Sequence, residues 1–173
     1  MACPPWACRL TFGSHSRAPA LPVTDSPTPR WHERLRSFQR ALGRLEAPIA
    51  QVRSTGQLPE NLSAEFKDEV DRKFEMAYEL GWQTLLDYFQ YAGLPAPDDY
   101  EKALDIAHSL GLIEYRGSWT DLFESLHRTI ETYSQRKSQI IFGRVVYSFY
   151  DLLSDLSQRL AEKAAQHRVH VNR

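Results

Sequence analysis

The sequence predicts an all-α protein, an up-and-down antiparallel bundle of four main helices plus a short one. Apolar residues recur at spacings of three and four along long segments from Trp31 onward, which is the period of an amphipathic helix. Serine and aspartate precede these segments, and glycine or proline follows several of them. No segment alternates apolar and polar residues between turn signals, as a half-buried strand would.

The first helix carries Trp31, Leu35, Phe38, Leu42, Leu45, Ile49 and Val52 on one stripe, with Arg34, Arg36, Gln39, Arg40, Arg44 and Glu46 opposite. Pro48 falls late in that stripe, so a kink or an end is expected near it. Ser54 to Gln57 reads as a loop. The second helix is expected from Ser63, a capping residue, to Ala92, with Gly93 and Pro95 stopping it. It is apolar on two sides. Phe66, Val70, Phe74, Ala77, Leu85 and Tyr88 form one face, and Tyr78, Trp82, Leu86 and Phe89 a second. One face fits a bundle core; the other calls for a partner chain or a ligand.

Asp98 or Asp99 is placed to cap a short third helix that Gly111 closes after Leu110. Ser118 is read as the cap of a fourth, with Asp121 in a capping-box-like position and Trp119, Leu122, Phe123, Leu126, Ile130 and Tyr133 on its apolar side. The last helix is expected from Lys137 to Ala165, with Ile141, Val145, Phe149, Leu152, Leu156 and Leu160 as its stripe. The chain thus divides into a disordered Pro-rich leader over 1–30, a helical bundle over 31–165 and a frayed tail over 166–173. Six of the ten prolines, but few charges, fall in the leader.

Bulk composition removes several function classes. The 173 residues carry a net charge of -1, so there is no basic excess of the kind that marks a nucleic-acid surface. No apolar run is long enough to span a bilayer, and the start lacks the pattern of a signal peptide, so the expected location is cytoplasmic. Both cysteines, Cys3 and Cys8, lie in the leader, which excludes a disulfide framework for the bundle. With His15 they are spaced too loosely for a usual zinc cluster and read as free thiols. No cofactor is expected.

No constellation in the chain carries catalysis. There is no phosphate-binding glycine loop, no paired metal-ligating histidine motif and no nucleophile elbow. A transferase loop would need Gly-Ser followed by spaced acids for magnesium, whereas Gly13-Ser14 runs into the proline-rich leader. Glu75 and Glu79, one turn apart, could hold a metal or a cationic group, although such acids more often form a solvated face or pair with Arg72 and Lys73. Phe74, Tyr78, Trp82, Tyr88 and Phe89 could stack on a base, although aromatics at helical spacing more often build core or subunit interface. His127 and Glu131 have the spacing of an acid–base pair, or of a polar helix end.

The run Lys73-Phe74-Glu75-Met76-Ala77-Tyr78-Glu79-Leu80-Gly81-Trp82-Gln83-Thr84-Leu85-Leu86-Asp87-Tyr88 resembles the signature helix of the nucleotidyltransferase substrate-binding protein family. The likeness extends to Ala107–Ile113, to Trp119 with the following Thr132-Tyr133, and to Phe38–Leu45, spanning roughly 31–163. The resemblance implies a HEPN-like helical bundle, a homodimer, and pairing with a minimal nucleotidyltransferase encoded nearby, often as a toxin–antitoxin module. This chain would then be the non-catalytic substrate-binding or partner subunit, with a nucleotide or nucleotide-acceptor substrate and catalysis on the other chain. The substrate or partner site is expected where the second and fourth helices meet. Phe74, Glu75, Tyr78, Glu79 and Trp82 would come from the second helix, and His127, Glu131 and Tyr133 from the fourth.

The alternatives are a HEPN-type ribonuclease toxin with a degenerate motif and a structural adaptor bundle. HEPN ribonucleases carry an Arg and a His shortly before Thr-Tyr. Alignment on Thr132-Tyr133 puts Leu126 and Glu131 at those two positions, so ribonuclease activity through that motif is not expected.

Overall fold

The structure is a computed structural model that describes residues 29–56, 58–59, 61–128 and 135–171, with backbone alone for 127–128, 135–139 and 167–171. The leader expected over 1–30 lies outside the described residues, apart from its last two.

Helix α1 runs Arg30–Arg53, α2 Ala64–Tyr91, α3 Tyr100–Ser109, α4 Arg116–Arg128, α5 Gln135–Arg144 and α6 Tyr150–Val171. A single π-helical turn, Val145–Phe149, joins α5 to α6. No strand occurs among the described residues, so the fold is all-α as predicted. Helix α1 packs along α2, α6 packs on both, and α3 pairs with α4. Trp31 meets Tyr88, Arg34 meets Gln83, and Phe38 meets Gly81, so α1 and α2 are antiparallel. The core is thus three long helices flanked by three shorter ones.

Local chemistry sets most helix ends. The Ser63 side chain accepts from the Phe66 N–H at 3.2 Å, and Asp99 accepts from the Lys102 N–H at 2.8 Å. At the far end of α2, Gly93 adopts φ +72°, and the Leu94 N–H donates back to the Phe89 carbonyl at 3.0 Å. Gly111, at φ +69°, does the same for α3, with Leu112 donating to Ala107 at 2.9 Å. Both closures need a left-handed residue, which glycine supplies without strain.

Three expectations change at the tertiary level. Pro48 does not end α1, which continues to Arg53. An interior proline costs about 3 kcal/mol. Beyond it, however, Ile49 and Val52 are fully buried, and each stabilises by roughly 1.5–3 kcal/mol. Ser118 does not cap α4, which begins at Arg116, and Asp121 pairs with Arg144 of α5 at 2.6 Å. The last helix is not one continuous α-helix. The π turn re-phases it, so Phe142, Val146 and Leu153 take central core positions while Ile141 and Leu152 are only partly buried. Helix α6 also runs past Ala165 to Val171.

Arg53 ties the end of α1 to that turn. Its guanidinium donates to the Val146 carbonyl at 2.7 Å and to both Asp151 carboxylate oxygens at 2.9 Å, and it lies 5.7 Å from the centre of the Tyr150 ring. A π turn departs from the regular α-helical ladder, and a side-chain donor here serves one of its carbonyls.

The tightest approach between helices is at Gly81 on α2. A Cβ built there would lie 2.8 and 2.9 Å from ring atoms of Phe38, which is fully buried and has little room to move. Gly81→Ala therefore trades a helix-propensity gain of about 1 kcal/mol for an overpacking cost of about 1–3 kcal/mol. Thermal denaturation should show a net loss of about 1 kcal/mol, and Phe38→Leu in the same chain should recover part of it. An unchanged or higher Tm for Gly81→Ala alone would show that the helices can part freely.

Candidate functional site

Helix α2 sits with one face in the core. Phe74, stacked on Phe149 of the π turn at 6.4 Å between ring centres, belongs wholly to that face. The second face turns toward α3 and α4. Tyr78 and Trp82 stack at 6.5 Å with planes 21° apart. Trp82 lies 6.4 Å from Phe123 of α4, and Phe123 stacks on Tyr100 of α3 at 3.9 Å. The sequence called for an outside partner or ligand to cover this face. Instead the chain covers most of it itself, because the α3–α4 pair folds across it and leaves Tyr78 and Trp82 each only 4 % exposed.

The cover is incomplete. Between α2 and Leu126 of α4 lies a cavity of about 190 Å³. Arg72, Glu75, Glu79 and Gln83 give it a polar wall, and Met76, Tyr78, Trp82 and Leu126 an apolar one. Of the residues expected at a site, Glu75, Tyr78, Glu79 and Trp82 come together here. Phe74 does not; it is core. His127 follows Leu126 on α4, but its side chain lies outside what is described, and Glu131 and Tyr133 lie outside the described residues altogether. Arg72, Met76, Gln83 and Leu126 were not singled out as site residues. The first three share a helical stripe with Glu79, one position over from the aromatics, so the same periodicity could have found them.

The electrostatics of this wall are set by burial. The Tyr78 phenol is pushed well above its ordinary range because it is desolvated, so it stays protonated. Its hydroxyl has no hydrogen-bond partner among the described residues. Desolvation also raises the Glu75 carboxyl. One turn earlier on the same face, Asp71 is pushed up to about 7, first by burial and then by the charges of Glu75 and Asp68. Its Oδ1 is buried without a partner among the described residues. By contrast, Lys73 pairs with Glu69 at 2.7 Å and holds that carboxyl below its usual value. From α1, Arg34 anchors the other end of the wall, donating to Gln83 Oε1 at 2.7 Å and pairing with Asp87 at 2.8 Å. Among the described residues no cluster of three or more His, Cys, Asp or Glu side chains is arranged to hold a metal.

Comparison with known families places this architecture. The family model described as nucleotidyltransferase substrate binding protein like matches residues 33–162, from the first turn of α1 deep into α6. The chain belongs to that family. The match includes the whole cavity wall on α2 and Leu126 opposite. No curated protein matches the chain at a significant level. No helix among the described residues is long and apolar enough to cross a membrane.

Asp71 gives this family member a pH signature. The folded carboxyl holds its proton more tightly than the unfolded chain does, so the native state is favoured in acid. That advantage is lost as the pH rises from the ordinary value of 3.8 through about 7. Asp71→Asn, which cannot ionise, should raise stability by about 1–3 kcal/mol near pH 8 and by nothing near pH 4. Melting curves at the two pH values measure the difference, and a gain of equal size at both would show that the carboxyl charge is not its source.

Proposed function

We propose that the chain is the non-catalytic, substrate-holding subunit of a two-component minimal nucleotidyltransferase, and that the cavity between α2 and α4 seats the acceptor. The observation that carries this reading is the cavity itself. It lies on the stretch that bears the family resemblance, and it is a concave, mostly apolar site with a few convergent polar groups. Leu126 supports the absence of cleavage chemistry here. It stands where a HEPN ribonuclease carries its Arg, and it presents an apolar wall to the cavity instead of a cation.

In this reading the nucleotide, its magnesium and the transfer step belong to a separate transferase encoded nearby, and the pair forms a toxin–antitoxin type module in the cytoplasm. The chain would act as a homodimer. Met76, Tyr115, Ile140 and Tyr147 are large apolar or aromatic side chains left exposed, available to contact a second copy or the transferase.

Light scattering on the full chain, alone and mixed with the neighbouring nucleotidyltransferase, tests this directly. The chain alone should have the mass of a dimer and should gain mass on mixing. Trp82→Ala should leave the complex intact while lowering nucleotide transfer at least about tenfold, the scale of one lost aromatic anchor. A stable monomer that ignores the transferase would refute the proposal.

A further inference from the structure

Glu75 and Glu79 stand one turn apart on the cavity wall, both exposed, and neither has an ion-pair partner among the described residues. Of the two basic groups beside them, Lys73 is ion-paired and Arg72 meets a backbone carbonyl. Lys73 pairs with Glu69, and the Arg72 Nε donates to the Asp68 carbonyl at 3.3 Å. The acids share the cavity wall with the apolar and aromatic side chains of Met76, Tyr78 and Trp82. An indole face attracts a cation, and more strongly where water is scarce.

A second observation is independent of the acids. Tyr78 lines the cavity, is 4 % exposed, and its hydroxyl has no partner among the described residues. Buried hydroxyls are ordinarily bonded, so an unbonded one beside a cavity marks a group that a ligand can complete. A protonated phenol can accept a hydrogen bond from an ammonium.

We propose that the cavity takes a small organic cation bearing two or more ammonium groups, which pair with Glu75 and Glu79 while its carbon chain lies on Trp82 and Met76. This rests on the reading of the cavity as the acceptor seat and names the acceptor's chemical class. Side chains at this spacing have Cβ atoms about 5–6 Å apart, a distance that a propyl or butyl spacer between two nitrogens matches. The same wall disfavours a phosphate. A nucleotide placed here would set its anion against two carboxylates, with Arg72 the one cation on the wall among the described residues. The nucleotide is therefore held elsewhere, on the transferase, and the two substrates meet at the boundary between the chains.

Isothermal titration of the full chain with spermidine at low ionic strength, with AMP as the anionic comparison, tests the assignment. Spermidine should bind saturably at one site per chain, and AMP should give no heat. Glu75→Gln with Glu79→Gln should weaken spermidine binding about tenfold or more, and Tyr78→Phe should weaken it less. Glu46→Gln with Glu65→Gln removes two exposed acids elsewhere on α1 and α2 and should leave binding unchanged. Spermidine binding that survives the loss of Glu75 and Glu79, or falls equally with Glu46 and Glu65, would overturn the proposal. So would an AMP signal that Trp82→Phe abolishes. A chain that gains mass with the transferase yet ignores spermidine would overturn the cation while leaving the subunit reading standing. A chain that binds spermidine through Glu75 and Glu79 but never meets a transferase would do the reverse.

Discussion

The contact between Phe38 and the bare backbone of Gly81 governs the rest of the structure. A fully buried aromatic ring set against a residue without a side chain lets α1 and α2 lie closer than two ordinary helices would. With α1 seated that tightly on one side of α2, the other side is left to carry something else. Arg34 lengthens the same seam, reaching across to Gln83 and Asp87, so one edge of the cavity wall on α2 is braced from α1. The closeness of one helix pair thus leaves a second face of α2 to line the cavity.

That second face is costly, and the cost explains its form. Tyr78 and Trp82 must leave water, yet Tyr78 carries a hydroxyl and Asp71 a carboxyl into the same region without partners among the described residues. Unbonded buried polar groups oppose folding unless something is gained from them. The series of ring contacts from Tyr78 through Trp82 and Phe123 to Tyr100 offsets part of the cost through apolar burial and aromatic contact. The remainder stands as a local penalty on folding.

What could be read from the sequence was local or periodic. Ser63, Asp99, Gly93 and Gly111 act within a few residues of themselves, and each does in the structure what its residue type implies. The pairing of Glu75 and Glu79 with Tyr78 and Trp82 on one side of a helix follows from the helical period alone. What escaped depended on neighbours distant in sequence. Pro48 is overridden by the burial of Ile49 and Val52, Ser118 yields to a helix start at Arg116, and the π turn receives Arg53 from 93 residues earlier in the chain. Whether α2's second face would be bare or roofed was equally illegible, because the answer lies in how α3 and α4 fold back across it. Phe74 looked like a site residue through its place in the family stretch, and packing against Phe149 puts it in the core.

The π turn at Val145–Phe149 makes the molecule a matter of counting as well as of contacts. A π turn accommodates one residue more than the regular spiral, so everything before it is rotated by a little over a quarter of a revolution, about 100°, relative to everything after it. Helix α5, whose Arg144 pairs with Asp121 of the roof helix α4, is therefore aimed by an integer. Shortening the turn by a single residue would swing Arg144 away from Asp121 while leaving the composition of both helices untouched. In this protein the heading of α5 is written in the length of the chain, and Arg53 braces the turn that sets it.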